Sequence, residues 1–376
     1  MIYFDNAATS FYKPETVKKT LIKSINTLTA NPGRSGHKLS QKVAMQIFET
    51  RETVKDFFNA KNYSLIFTKN CTEALNLAIR GCLNSGDHVI VTCYEHNSVL
   101  RTLEYLKSFG VEYEIVYADL KNVAEEILKK IKPNTRLVVT NMISNVTGEL
   151  CDIASVSKVC KENDILYLVD GAQSSGHIEI NLQDLGVDMF AFAGHKGLLS
   201  ISGVGGLLVK NLNILQPIMF GGTGTESDKL LQPKGREEDF ESGTIPTLSI
   251  LSLKSGIEFL QKNFEIILKK EQNLCKYVYF ELKKLKFLKI YSKSDFKNVI
   301  SFNIKNLDSS FVANELNEKF NICVRSGLHC APLVHKKLKT LDVGAVRVSL
   351  DFNNSFEEID KLIFALKKIA IFLQVE

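Results

Sequence analysis

The sequence is as informative for what it lacks as for what it holds. None of its eight cysteines, at 71, 82, 93, 151, 160, 275, 323 and 330, belongs to a CxxC pair, and several lie inside apolar runs. That usage fits a reduced, cytoplasmic protein better than a disulfide framework or a zinc site. No run approaches the ~18 consecutive apolar residues of a membrane span. The opening Met1-Ile2-Tyr3-Phe4-Asp5 has neither the basic n-region nor the apolar h-region of a signal peptide. Internal repeats and low-complexity tracts are absent. So is a charge excess of one sign: 47 Lys and Arg against 42 Asp and Glu leave a net +5, too small and dispersed to argue for nucleic acid. Lysine pairs such as Lys269-Lys270 and Lys283-Lys284 read as solvated helix faces. What remains is the composition of an ordinary soluble globular protein, 45% hydrophobic and 24% charged, with room in 376 residues for two domains.

The strongest local signal is Met189-Phe190-Ala191-Phe192-Ala193-Gly194-His195-Lys196. It reads as a buried strand that stops at glycine and then presents a lysine. An ammonium is costly to desolvate, but a lysine with a lowered pKa is what Schiff-base chemistry requires. A second buried-strand pattern, Ile165-Leu166-Tyr167-Leu168-Val169-Asp170, ends in a carboxylate. Singly, Lys196 reads as a surface lysine and Asp170 as a helix N-cap. Together they suit pyridoxal 5'-phosphate (PLP), whose aldehyde needs an amine and whose ring nitrogen needs an acid partner.

Seven apolar runs, at 65–68, 88–93, 114–117, 136–140, 165–170, 188–193 and 204–209, alternate with helical patterns at 72–83, 98–109, 123–131 and 153–162. This predicts an α/β fold, a mostly parallel seven-stranded sheet with helices on both faces. Ligands in such folds lie beyond the carboxyl ends of the strands, where Asp170 and Lys196 both fall. Helices are expected at 14–28 and 39–58, a loop at 31–37 and a long helix at 250–262. Beyond it, short strands at 299–304, 322–325 and 345–350 mark a smaller α+β C-terminal domain. The domain expectation is 14–250 for the large unit, with 1–13 and 251–376 forming the small one.

Further candidates each carry two readings. Thr68-Lys69-Asn70-Cys71-Thr72 leads from a strand into a helix, a phosphate site or a plain N-cap. His96 and Asn145 follow other strands. Arg325-Ser326-Gly327-Leu328-His329-Cys330-Ala331-Pro332 offers either a thiol made acidic by positive neighbours or a small residue in a turn.

Asp5-Asn6-Ala7-Ala8, Val169-Asp170-Gly171-Ala172-Gln173, Gly194-His195-Lys196, Phe240-Glu241-Ser242-Gly243-Thr244 and the Cys330 loop occur in the order found in class V aminotransferase-like PLP enzymes. The last resembles the Arg-x-Gly-x-His-Cys-Ala motif of the group II (Suf/Csd-type) cysteine desulfurases. The resemblance runs from Asp5 to about Leu350 and implies the PLP-dependent transferase fold type I. It implies conversion of L-cysteine to L-alanine with a persulfide on Cys330, the sulfur passing to an acceptor protein for iron–sulfur cluster or thiocofactor synthesis. Lys196 would carry the cofactor and move the Cα proton, Asp170 would hold the ring nitrogen, and His96 would stack on the ring. Asn145 and Gln173 would contact the ring oxygen; Cys71, Thr72 and His195 would bind the phosphate. Arg347 would grip the substrate carboxylate, with Asn145 and Arg325 in support. Thr244 would reach the phosphate of a neighbouring subunit, making a homodimer. Ala193 departs from the family's serine or threonine, so one phosphate contact is lost unless Ser200 or Ser202 replaces it. The same frame could instead host a selenocysteine lyase, a cysteine sulfinate desulfinase or a class V aminotransferase. No metal, nucleic acid or membrane contact is expected.

Overall fold

Strands that are apolar along both faces must be covered on both, and the chain supplies that cover. The computed structural model describes residues 1–32, 36–305 and 307–374; of the loop expected at 31–37, residues 33–35 therefore lie outside the described residues. The strands in chain order are β1 (Ile2–Tyr3), β2 (Ser64–Thr68), β3 (His88–Thr92), β4 (Glu112–Val116), β5 (Thr135–Asn141) and β6 (Leu166–Asp170). There follow β7 (Met189–Ala193), β8 (Gly205–Val209), β9 (Leu288–Ile290), β10 (Val299–Ile304), β11 (Ile322–Cys323) and β12 (Val346–Ser349). Seven of them form one sheet in the order β2-β8-β7-β6-β5-β3-β4. Only β8 runs antiparallel to its neighbours, so the other six strands end on the same side.

Period-2 alternation sorts each strand into two apolar layers. Ile90, Val138, Val169, Phe190 and Leu208 pack with Val43, Ile47 and Val54 of the helix Lys38–Phe57. Their sequence neighbours Val89, Val139, Leu168, Ala191 and Leu207 pack on the opposite face with Leu75 and Ile79 of the helix Cys71–Cys82. The doubly wound α/β arrangement is thus present, with one reversed strand.

A separate core lies toward the C-terminus. β10 is flanked antiparallel by β9 and β12, and Phe302, Val346 and Val348 pack with Leu362 and Leu366 of the helix Phe356–Phe372. Phe4 joins this core, and β1 pairs in parallel with β11, so the first residues complete the last sheet elements. The long helix expected at 250–262 in fact spans Thr247–Lys283. Its first half supplies Ile250, Leu253 and Ile257 to the sheet layer; its second supplies Leu274, Val278 and Leu282 to the C-terminal core. The change of partner, with Ile266 and Phe280 left exposed, blurs the periodicity that would have revealed its length.

A buried fork holds the segment that precedes Thr244. Arg51 donates from Nη1 and Nη2 to the two oxygens of Glu241 at 2.9 and 3.0 Å, and the Phe67 amide donates to the same carboxylate at 2.6 Å.

Candidate active site

The site grows from the aligned strand ends. Asp170, the last residue of β6, pairs in register with Asn141 of β5 and Ala191 of β7. Lys196 lies three residues beyond β7. Two glycines bring the chain after Asp170 against the chain after Lys196. A Cβ on Gly176, which sits at φ +88°, would collide with the Gly197 carbonyl, and a Cβ on Gly197 would collide with the Ser175 carbonyl. Only glycine allows both approaches.

Lys196 has no ion-pair partner among the described residues. Burial pushes its pKa below the ordinary lysine value; Asp170 and Cys71 oppose that push, while Arg347 and Arg325 add to it. Asp170 Oδ1 accepts from the Ala172 amide at 2.9 Å and from the Cys71 thiol at 3.5 Å. Burial, then the adjacent Asp170, holds the Cys71 thiol well above its usual pKa, so Cys71 donates as S–H. Its side chain thus turns to Asp170, whereas the expectation is a phosphate contact.

The end of the cleft where a phosphate is expected is a helix N-terminus. Asn70 caps the helix Cys71–Cys82, accepting from the Glu73 amide. The Cys71 and Thr72 amides have no partner among the described residues and carry the positive end of the dipole. His195 Nδ1 is buried without a partner. Burial first, and then Lys196 and Lys13, bring its pKa down to about 4. Ala193 lines the cleft, but neither Ser200 nor Ser202 does. Ser200 donates to the Ile201 carbonyl at 2.8 Å, and Ser202 is exposed. The contact that Ala193 removes is not restored by either.

His96 caps the helix Asn97–Lys107. Its Nδ1 accepts from the Ser98 amide at 3.1 Å and lies 2.8 Å from Ser98 Oγ. Burial lowers its pKa to about 4. The ring is therefore neutral, and its accepting Nδ1 assigns the proton to Nε2. Gln173 lines the cleft and donates to the Ala7 carbonyl at 3.0 Å. Asn145 donates from Nδ2 to the His329 carbonyl at 2.7 Å, tying the cleft to the cysteine loop, and its buried Oδ1 has no partner.

Sequence reasoning passed over Asn141, Ser98 and Glu95. The first two line the cleft; their signal was position, at the end of β5 and in the first turn after His96. Glu95 lies behind them, accepting from Thr92 Oγ1 at 2.5 Å and from the Asn141 amide at 3.1 Å. Burial raises its pKa to about 8. A carboxyl whose folded pKa exceeds its unfolded one stabilises the fold fully below the unfolded value, and that stability is lost as pH rises through the folded value. Relative to E95Q, wild-type stability should therefore fall between about pH 4.5 and 8, with a slope approaching ~1.4 kcal/mol per pH unit. Urea titrations of both proteins across that range check it.

The cysteine loop lies beside this cleft. His329 and Cys330 both adopt the left-handed conformation, φ +51° and +57°, an uncommon state for residues with a Cβ. The Cys330 carbonyl accepts from the Asn97 amide at 2.7 Å. Cys330 lines an outer cavity, which shares Thr72, His96 and Ser98 with the inner cleft of Lys196. Arg347 lies outside the lining of that cleft. It donates from Nη2 to Asp5 at 2.8 Å and from Nη1 to the Asn145 carbonyl at 3.1 Å, with Nε buried and unpartnered. Arg325 faces it across an antiparallel bridge, its amide donating to the Arg347 carbonyl at 3.1 Å. Thr244 is exposed and outside the cleft of its own chain.

These residues fit a phosphorylated pyridine aldehyde. The cleft offers an amine, a carboxylate held from one side, and partnerless atoms in His195, Asn145 and Asn141. The family described as aminotransferase class-V matches residues 2–362. A probable cysteine desulfurase of Pyrococcus abyssi is 34% identical, the match covering 98% of this chain and 94% of that protein. The apo structure of a cysteine desulfurase from Thermococcus onnurineus superposes with a TM-score of 0.90 at 32% identity, over 98% of this chain and 94% of that one. C-DES, in a mutant with glycine covalently linked to its PLP cofactor, shares the fold with a TM-score of 0.84 at 22% identity, over 97% and 95% of the two chains.

Proposed function

The chain belongs to the aminotransferase class-V family, and from that premise we infer a PLP-dependent cysteine desulfurase of fold type I that converts L-cysteine to L-alanine. The observation that carries the reading is the pairing of Lys196 and Asp170 at one end of the sheet with Cys330 across a shared wall.

PLP, when bound, supplies an electron sink for the bonds around the substrate Cα. Lys196 Nζ, held toward its neutral form by burial, would attach the cofactor and would then take and return the Cα proton. Asp170 keeps a carboxylate oxygen for the ring nitrogen while Ala172 and Cys71 fix the other. The Cys71 and Thr72 amides and His195 would hold the phosphate, Gln173 and Asn145 would hold the ring oxygen, and His96 would pack on the ring as a neutral imidazole. Cys330 Sγ would attack the substrate sulfur over the lining shared by Thr72, His96 and Ser98: the persulfide S–S bond forms as the substrate Cβ–S bond breaks, its electron pair stays on the carbon skeleton, and that carbon is protonated and leaves as alanine.

Arg347 Nε is a buried donor lacking an acceptor, and the substrate carboxylate is the acceptor we assign to it, with Arg325 opposite. R347K keeps the charge but loses the planar fork. It should raise the KM for cysteine by ~10–100-fold, with a smaller change in kcat, measured by steady-state alanine formation.

Thr244 is exposed and outside the lining of its own cleft, which supports a homodimer in which it reaches the neighbouring phosphate. T244A should weaken PLP retention by ~10-fold, the loss of one hydrogen bond to a charged group, with dimer mass unchanged; equilibrium dialysis and sedimentation read the two quantities. The eight cysteines are free, and no helix among the described residues is long and apolar enough to cross a membrane. Both features suit work in the reducing cytoplasm, where the persulfide passes to an acceptor for iron–sulfur cluster or thiocofactor synthesis. The deciding assay incubates PLP-loaded protein with cysteine and a reductant and quantifies alanine and sulfide. Equal amounts support the reading; pyruvate or glutamate in place of alanine would turn it toward lyase or transaminase chemistry.

A further inference from the structure

The outer cavity has a charge pattern that cysteine turnover does not explain. It encloses about 480 Å³ and is bordered by Cys330, His96, Arg80, Arg101 and Tyr105 among others, with no carboxylate in its lining. Arg80 and Arg101 are both exposed and form no ion pair among the described residues. The acidic side chains on the same two helices are engaged elsewhere. Glu73 accepts from the Lys69 amide at 2.5 Å, and Glu104 accepts from Lys107 at 3.2 Å and from Tyr113 at 2.6 Å. The Arg80 guanidinium lies 5.8 Å from the Tyr105 ring centroid, which steadies it at the mouth. Two unpaired guanidiniums around a nucleophilic sulfur form a field that draws anions to it.

We propose that Arg80 and Arg101 select the sulfur acceptor, which is a thiol flanked by carboxylates. The inference rests on the reading of Cys330 as the persulfide carrier and names the substrate class of the second half-reaction. In that step the acceptor thiolate attacks the outer sulfur of the Cys330 persulfide. A new S–S bond forms on the acceptor, and the old one breaks with its electron pair returning to Cys330 Sγ. The Cys330 thiolate is regenerated and no further oxidant or reductant is consumed. The guanidiniums hold the acceptor's carboxylates while its sulfur enters between Tyr105 and His96.

Charge-graded small thiols test this directly: dianionic mercaptosuccinate, neutral 2-mercaptoethanol and cationic cysteamine. PLP-loaded protein is first given cysteine without any thiol, and the single burst of alanine per site is measured. Each thiol is then added, and the rate of persulfide loss is divided by that thiol's rate against a free low-molecular-weight persulfide. In wild type the normalised rate should favour mercaptosuccinate over cysteamine by ~10-fold or more, the advantage shrinking as salt is added. R80Q/R101Q should keep the alanine burst and lose the preference, while R80K/R101K should keep both. Equal normalised rates for the three thiols in wild type, or a preference that survives in R80Q/R101Q, overturn the proposal. Absence of the alanine burst in wild type would instead overturn the underlying reading, and this inference with it.

Discussion

Alanine in place of Lys196 is expected to lower cysteine turnover by ~10⁴-fold or more, since one side chain is asked both to hold the cofactor and to move the Cα proton. Borohydride reduction followed by peptide mapping separates the two duties. Wild type should carry a vitamin B6 adduct on the peptide containing Lys196, and K196A should carry none while still binding PLP more weakly. A competitor is present in the same neighbourhood. Lys13 is also brought down, by burial, to about 8, and donates to Ser10 Oγ at 2.6 Å. An adduct found on Lys13 in wild type would remove Lys196 from its place. Methylamine added to K196A should restore part of the proton transfer if the missing group is an amine and nothing more.

The second large effect concerns Cys330. C330A should reduce cysteine turnover by ~10³-fold or more, because the carbon–sulfur bond then lacks a nucleophile to take the sulfur. Selenocysteine and cysteine sulfinate part with their leaving groups without thiolate attack, so their turnover should stay within ~10-fold of wild type, losing only what the loop contributes to binding. The comparison is made on one preparation by alanine release from all three substrates. Cysteine turnover unchanged in C330A would mean that the loop is structural and that its left-handed residues serve packing alone.

Much of this architecture is legible in the chain. Near-continuous apolar runs ending in Asp170 and shortly before Lys196 define buried parallel strands, and the rule that ligands sit beyond strand ends brings the two together. Side-chain direction was less accessible. Cys71 stands at a helix N-terminus, where a phosphate contact is the natural expectation, yet its thiol turns to Asp170. Ser200 is near Lys196 in sequence, but it bonds to the Ile201 carbonyl. The resemblance gives Arg347 a substrate carboxylate to grip; only the fold reveals Asp5 arriving from the other end of the chain to bind it. Asn141 and Glu95 went unremarked because a strand-terminal amide and a buried acid acquire meaning only through long-range partners. In each case the element was readable, and the partner depended on contacts between distant segments.

The helix Thr247–Lys283 is a continuous rod of 37 residues, about 55 Å long. It carries a single glycine, Gly256, where a Cβ would strike the Leu198 carbonyl two residues beyond Lys196. The same rod is embedded at its far end in the C-terminal core. Between Gly256 and Leu274 the rod has no glycine or proline, so one unbroken ladder of backbone bonds fastens the loop bearing the reactive amine to the C-terminal layer.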